Sequence, residues 1–577
     1  MTTTTTDFAI PNPRKARVPE GFAQSATWLV TVVFVIGPLL PLLYASFRDR
    51  PLYEHGGVFT IAPYRTLFSD PAFWRAVENT LAFASLTTAI AVVGGASIAI
   101  LCARTDLPGR RVLGWLTLAP IALPPLGVLL GWIVIWGPGG YLATMVSLHL
   151  HMSAIDLTSI PGMAIIGGTG SLPIVFLICQ ASLARTDASL EDAARSAGAR
   201  PYRVLLGITV PMLRPAALNA GMLVFTLAAE TLGIPLLLGR SHNTNFVSSY
   251  LYSTWTDASS PDPGSVSAGA IVLLVFASAL LILRNRLLGS ESRFVAVSAR
   301  TGAHHPLRLG RVRHVFAFGI VLYLVLTTLL PLLGLAVMSG VAILTPLRAP
   351  WHFLTADNYQ ALRYSVFRHS ITNSVTIALI GGALTTALIS LATLVAHRSR
   401  FRLRRSLQFA VLYPRAIPGI VLGMGFFWAY LLFDPPGHFL LSSFWGILLA
   451  FSVHCFTLAY LVLYPAMGRI SGSLDQAARA AGAGWWRTST RIVLALMWPA
   501  IFAAFLLVFV AILNDYEPAL FLVKPGNEVI GVTMLQLFEQ GTIGPVSALA
   551  MVQLAATIVI ALAAARLLRA NLRRGNA

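Results

Sequence analysis

Apolar runs of twenty or more residues recur along the chain, separated by short clusters of Arg, Pro, Gly and polar residues. A helix needs about 20 mostly apolar residues to cross a hydrocarbon layer of ~30 Å. Runs near 25–47, 77–103, 112–134, 162–183, 215–239 and 264–285 meet that length, and six more follow near 314–339, 371–397, 406–432, 443–465, 498–523 and 545–566. The pattern predicts an all-α, polytopic membrane protein of about 12 transmembrane helices, numbered here spans 1 to 12. Pro120 and Pro124 fall in span 3, and Pro414 and Pro418 in span 9, so both should break or kink.

Composition agrees. The chain is 56% apolar and 11% charged, against about 25% charged in soluble domains, which excludes a soluble enzyme. The net charge of +19 could mark an anionic partner or a membrane topology. Location decides between them. With the N-terminus in the cytoplasm, 31 Lys and Arg fall in inside segments and nine in outside segments, with Arg415 left within a span. That asymmetry predicts two cytoplasmic termini and leaves no compact basic surface for nucleic acid. The first run is too long for a signal-peptide core and is expected to be retained. The three cysteines, Cys102, Cys179 and Cys455, lie in apolar runs and suggest buried packing rather than metal or redox chemistry. Neither lysine, Lys15 nor Lys524, sits in a phosphate-binding loop, so any ATPase that drives this chain is another polypeptide.

The chain is also a duplication. Residues 190–215 align with 474–499 at an offset of 284, with ten identities that include Arg195/Arg479, Gly198/Gly482, Arg203/Arg487 and Pro215/Pro499. Asn79 matches Asn373, Pro120 and Pro124 match Pro414 and Pro418, and residues 266–268 match 546–548. Each copy has six spans, so the copies run in parallel around an axis along the membrane normal. The expected organisation is a cytoplasmic tail over 1–24, a first membrane domain over 25–285, a linker over 286–313, a second membrane domain over 314–567 and a tail over 568–577.

The strongest repeat is a loop on the cytoplasmic side. Ser189 with Asp192, and Ser473 with Gln476, suit capping boxes. A short Ala-rich helix follows each, ending at Gly198 or Gly482 in the left-handed position that glycine favours, and Pro201 can start the next helix. Asp192-Ala193-Ala194 with Gly198, and Gln476-Ala477-Ala478 with Gly482, resemble the EAA loop of permease subunits of ATP-binding-cassette (ABC) importers. The sequence departs from the family pattern where Asp192 and Gln476 replace its Glu and where Ala495 stands opposite Pro211.

The resemblance implies a type I importer permease with both halves fused, bound to two ABC ATPase subunits and served by a periplasmic or lipid-anchored substrate-binding protein at a bacterial inner membrane. The chain itself would be no enzyme and would hold no cofactor or metal, ATP being bound by the partner. The coupling set it implies is Asp192, Ala193, Ala194, Arg195, Gly198 and Arg203, with Gln476, Ala477, Ala478, Arg479, Gly482 and Arg487.

Ionisable residues inside spans are costly and often functional. Glu230, Arg415 and Asp515, with Asn514 aligned to Glu230, are therefore candidates for the translocation pathway; an ion pair between helices is the alternative. Fused two-domain permeases of this kind look most like those for ferric iron, with thiamine and 2-aminoethylphosphonate systems similar. A major-facilitator-type secondary transporter is the rival class. Asp106-Leu-Pro-Gly109-Arg110-Arg111 is similar to part of that family's loop motif, but Cys102 replaces its leading glycine.

Overall fold

The computed structural model describes residues 20–54, 56–151, 155–185, 189–240, 244–256, 262–288, 306–399, 401–433 and 439–575. Most of the expected N-terminal tail, most of the linker and the last two residues lie outside the described residues. Extended pairing among the described residues is limited to three isolated bridges, so the all-α expectation holds. Nine helices are long and apolar enough to cross a membrane among the described residues, or up to 12 if each of three bent pairs counts as one span.

Proline produces the expected breaks. In copy two, Arg404–Ala416 and Gly419–Phe433 meet at 111°. In copy one, helix Arg110–Leu118 passes through a 3-10 turn at Ala119–Ala122 and restarts at Pro125. The membrane-length run there is Pro125–His149, not 112–134, because a proline lacks the N–H that would continue the first helix. Two other expectations need correcting. Spans 5 and 11 were expected at 215–239 and 498–523; the helices end earlier, at Glu230 and Asn514, and span 5 begins at Tyr202. Glu230, Asp515 and Glu517 thus lie at helix ends rather than inside helices.

Each copy lends its first helix to the other. Gly425 in span 9 passes so close to span 1 that a Cβ there would lie 2.9 Å from the Pro38 carbonyl oxygen. The equivalent glycine of span 3, Gly131, meets the Pro331 carbonyl of span 7 in the same way, at 2.3 Å. Trp28 Nε1 donates to Ser406 Oγ at 3.2 Å, and the Tyr323 hydroxyl donates to the Thr169 carbonyl at 3.0 Å. Small residues that allow backbones to touch are how helices associate where no water-driven force is available. Spans 2 and 4 use the same device reciprocally. A Cβ on Gly95 would sit 2.7 Å from Val175 Cβ and 2.8 Å from the Leu172 carbonyl, and one on Gly168 would sit 2.7 Å from Ile90 Cβ. At the centre, the fully buried Trp428 of copy two donates through Nε1 to Ser267 of copy one at 3.0 Å.

Candidate functional site

The repeated loops form the expected short helices, Ser189–Ser196 and Ser473–Ala480. Gly198 and Gly482 have φ of +83° and +78°. Each helix closes with the same pair of carbonyl contacts: Ala199 N–H donates to Ala194 O at 3.0 Å, and Ala483 N–H to Ala478 O at 2.9 Å. This is the glycine-dependent helix stop that satisfies the last carbonyls. Both chains then enter the next helix through a wide π turn, at Leu205–Thr209 and Ser489–Val493, again offset by 284.

The capping box of copy two does not form as expected. Asp192 pairs with Arg195 on its own helix. In copy two Ser473 is already helical, and its N–H donates to Ser471 Oγ at 3.2 Å, so Ser471 supplies the cap. The Ser189 and Arg479 side chains lie outside the described residues. Arg203 and Arg487 are exposed, and Arg203 lies over the Tyr202 ring at 5.9 Å.

The neighbours of the expected acidic positions hold the loops. Glu191, 8% exposed, meets Arg104 Nε at 3.2 Å and accepts from the Thr209 hydroxyl at 2.9 Å. Its equivalent, Asp475, meets Arg398 Nη1 at 2.6 Å. The two arginines are the last residues of spans 2 and 8, and each also donates to a carbonyl at the end of span 4 or 10, Leu183 at 3.0 Å and Met467 at 3.5 Å. The signal was present in the sequence, since both pairs repeat, but Arg104 and Arg398 were counted only as topology markers.

Arg104 also adjoins the linker. Leu307 N–H donates to the Arg104 carbonyl at 2.9 Å, and Asp106 accepts from Leu309 N–H at 2.8 Å and from Arg313 at 3.3 Å. The Leu309 N–H, with help from Arg313, holds the Asp106 carboxyl below the usual range. Asp106 thus anchors the start of copy two, a role different from that suggested by its likeness to a secondary-transporter motif.

The second constellation lies within the bundle. His454 ends helix Phe444–His454 at a 46° bend in span 10. It lies roughly 15 Å along the helix from Phe444 and roughly 21 Å from Gly468, by a 1.5 Å rise per residue. That is near the midplane. Its Nδ1 is 2.9 Å from Asp515 Oδ2. Arg415, in the 3-10 turn at the break of span 9, approaches Glu230 at 3.8 Å. Glu230 is otherwise buried, and its second oxygen has no hydrogen-bond partner. Two pairs thus form at helix breaks, Glu230 with Arg415 and Asp515 with His454, and they take in three of the four expected pathway residues. The fourth, Asn514, turns toward span 12 and accepts from Thr557 at 3.3 Å.

His454 and Glu517 complete the cluster. His454 stands out only in the fold, because its contact with Asp515 joins positions 61 residues apart. Glycines make room for the segment after Asn514. A Cβ on Gly419 would lie 2.7 Å from Glu517 Oε2, on Gly423 2.5 Å from the Pro518 carbonyl, and on Gly233 2.5 Å from the Tyr516 hydroxyl. Non-helical backbone at this depth is tolerated where protein or a cavity surrounds it.

The face opposite the repeated loops is closed by aromatic contacts between the copies. Trp255 lies 5.3 Å from Phe427 and 5.6 Å from Phe521, edge to face. Beside it a cavity of about 830 Å³ is lined by both copies, including Tyr252, Thr256, Gln536 and Phe538, with Arg240 of copy one paired to Glu539 of copy two at 2.9 Å.

Comparison with known proteins agrees with this architecture. The family model for the binding-protein-dependent transport system inner membrane component matches twice, over residues 66–288 and 388–574. FbpB 1 of Haemophilus influenzae, named for a ferric transport system, is 24% identical over 517 residues, covering 87% of this chain and 77% of that protein. The ferric transport system permease protein FbpB of Actinobacillus pleuropneumoniae is 23% identical over 532 residues, covering 89% and 73%. The trehalose transport system permease protein SugB of Mycobacterium tuberculosis is 27% identical over 265 residues, covering 44% of this chain and 91% of that protein. A chain from the crystal structure of a bacterial alginate ABC transporter in complex with its pentasaccharide-bound periplasmic protein aligns with a TM-score of 0.39 at 17% identity, over 48% of this chain and 94% of that one. The chain belongs to the inner-membrane permease family of binding-protein-dependent ABC importers, as a fused form that carries two copies of the family domain.

Proposed function

We propose that this permease carries ferric iron through a pathway lined by Glu230, Arg415 and Asp515, and that two separate ATPase subunits drive it by docking on helices Ser189–Ser196 and Ser473–Ala480. The observation that carries the docking part is the duplicated loop. Both copies keep the helix, the left-handed glycine and an inward acidic anchor, and both leave Leu190 and Leu474 exposed with arginines nearby. An exposed apolar residue among charges suits a protein groove better than bare solvent. The excess of Lys and Arg on the loop side supports a cytoplasmic location for these helices and both termini. A binding protein would then deliver cargo at the opposite face, beside the Arg240–Glu539 pair.

Ferric iron is favoured because two relatives that run along most of the chain are named for ferric transport, while SugB matches less than half of it. The midplane cluster adds chemical support. Glu230, Asp515 and Glu517 outnumber the one arginine, which suits a cationic cargo in transit. Proteoliposomes holding the permease, its ATPase subunits and its binding protein should accumulate radiolabelled ferric iron only with ATP inside the ATPase compartment. Uptake driven by a proton gradient without ATP would instead identify a secondary transporter. Gly198→Pro combined with Gly482→Pro should abolish co-purification of the ATPase, and intact association would refute the docking assignment.

A further inference from the structure

Spans 2 and 8 are each single helices of 34 residues, Pro71–Arg104 and Ser365–Arg398. Each makes specific side-chain contacts at both ends, and the contacts repeat. At the loop end, Arg104 holds Glu191 and Arg398 holds Asp475. At the far end, Asn79 Nδ2 donates to the Asn245 carbonyl at 3.0 Å, and Thr80 Oγ1 accepts from Val247 N–H at 2.9 Å. In copy two Asn373 Nδ2 donates to the Glu528 carbonyl at 3.1 Å, and Ser374 Oγ accepts from Ile530 N–H at 2.8 Å. Val247 and Ile530 are the first residues of equivalent short helices, Val247–Thr256 and Ile530–Glu539. Those two helices line the cavity at the far face and supply Tyr252, Thr256, Gln536 and Glu539 to it.

Each long helix thus joins a loop helix to a far-face helix over roughly 38 Å, from 25 residues at 1.5 Å each. Its end contacts are fixed bonds, not general packing. Arg104 and Arg398 are buried, with side chains 2% and 7% exposed. Breaking a buried charge pair leaves an uncompensated charge, so the joint resists slipping. A helix so held at both ends moves with whatever moves either end.

We propose that Arg104 with Glu191, and Arg398 with Asp475, are positioning residues that make spans 2 and 8 the mechanical link between the docking helices and the far-face helices. The proposal rests on the reading that the ATPase docks on the loop helices. Glu191 and Asp475 turn inward from those helices, so they serve the link and not the docking contact.

The test uses the complete transporter in proteoliposomes, with Glu191→Gln and Asp475→Asn combined. The ATPase subunits should co-purify as with the parent protein, while uptake per ATP hydrolysed falls about tenfold or more, as expected when a coupling free energy is lost. A cysteine placed by Thr256→Cys should react with an impermeant maleimide at a rate that changes between nucleotide-free and ATP-trapped states. That change should vanish in the double variant. Asn79→Ala with Asn373→Ala should give the same defect from the other end, and joining both sets should be no worse than either alone. Glu191→Asp, which reproduces the residue used in copy two, should restore coupling. Unchanged uptake per ATP with normal association overturns the proposal. So does lost association in the Gln/Asn variant, or multiplicative defects from the two ends. A parent permease that retains no ATPase subunits would defeat the docking reading itself, and this link with it.

Discussion

Two glycines on one helix provide a sharp test of the packing that holds span 2 in place. Gly168 and Gly170 both lie within helix Ile160–Arg185. Replacing either by alanine gains helix propensity worth about 1 kcal/mol. Their surroundings are opposite. A Cβ on Gly168 would lie 2.7 Å from both Cβ and Cγ2 of Ile90 and 3.1 Å from the Thr87 carbonyl oxygen, all on span 2. A Cβ on Gly170 meets nothing within 4 Å. Overpacking a close helix contact costs about 1–3 kcal/mol, and more when backbone must move. Gly168→Ala should therefore destabilise by up to about 2 kcal/mol net, by subtraction of the propensity gain. Gly170→Ala should be neutral or stabilising by up to about 1 kcal/mol. Thermal unfolding in detergent can be followed with a thiol-reactive dye, because Cys102, Cys179 and Cys455 are all buried and react only as the bundle opens. At one scan rate, the Gly168→Ala midpoint should fall and the Gly170→Ala midpoint should hold or rise. Equal shifts for the two variants would refute close backbone contact between spans 2 and 4.

Three further outcomes follow from single contacts. Glu230→Gln and Asp515→Asn should each reduce iron uptake while leaving ATPase association intact; unchanged uptake in both would remove the midplane cluster from the pathway. Asp106→Asn should speed hydrogen exchange at the Leu309 amide, whose acceptor it weakens, more than at Leu307, which donates to the Arg104 backbone. Because the Asp106 carboxyl is held below the usual carboxylate range, its anchoring of the linker is complete above about pH 4 and is lost only as pH falls through that lowered value; Leu309 protection measured against pH checks the sign. Trp428→Phe removes the hydrogen bond to Ser267 across the two copies and leaves a gap at a fully buried site, so it should cost about 1–3 kcal/mol by the same thermal assay.

The sequence made the span number, the duplication and the helix breaks legible, because each rests on local chemistry. A run of twenty apolar residues has few other uses, and the paired prolines at Pro120 and Pro124, and at Pro414 and Pro418, break their helices. Gly198 and Gly482 were legible for the same reason: a left-handed stop is a local demand, and both residues take it up. Long-range partners were legible only in part: the ion pair between helices, the alternative for the buried charges, is present between Glu230 and Arg415 at 3.8 Å. Asp192 was expected to close a capping box, yet it is the neighbouring Glu191 that finds Arg104, 87 positions earlier in the chain. The copy-two capping box failed because Ser471, two residues before Ser473, competes for the same role. The midplane cluster was half visible. Rarity of charge in an apolar span marked Glu230, Arg415 and Asp515, whereas His454 became informative only once the bend of span 10 brought it to Asp515.

The two copies differ most at the midplane cluster. The struts at Arg104 and Arg398, the far-end bonds at Asn79 and Asn373, and the exchanged first helices at Pro38 and Pro331 are all paired. The midplane is not. Arg415 stands opposite Ile121, and His454 aligns with Gly170 at the loop offset, so copy two supplies most of the polar groups and copy one supplies Glu230. Symmetry is retained at the loop helices, where the proposed ATPase subunits would dock, and it is abandoned at the midplane cluster proposed to line the pathway. A cargo on the axis meets each side chain once, so a second His454 or Arg415 would add a buried charge without adding a contact. Fusion of the halves allows that division, since residues of the two copies can then diverge independently within one chain.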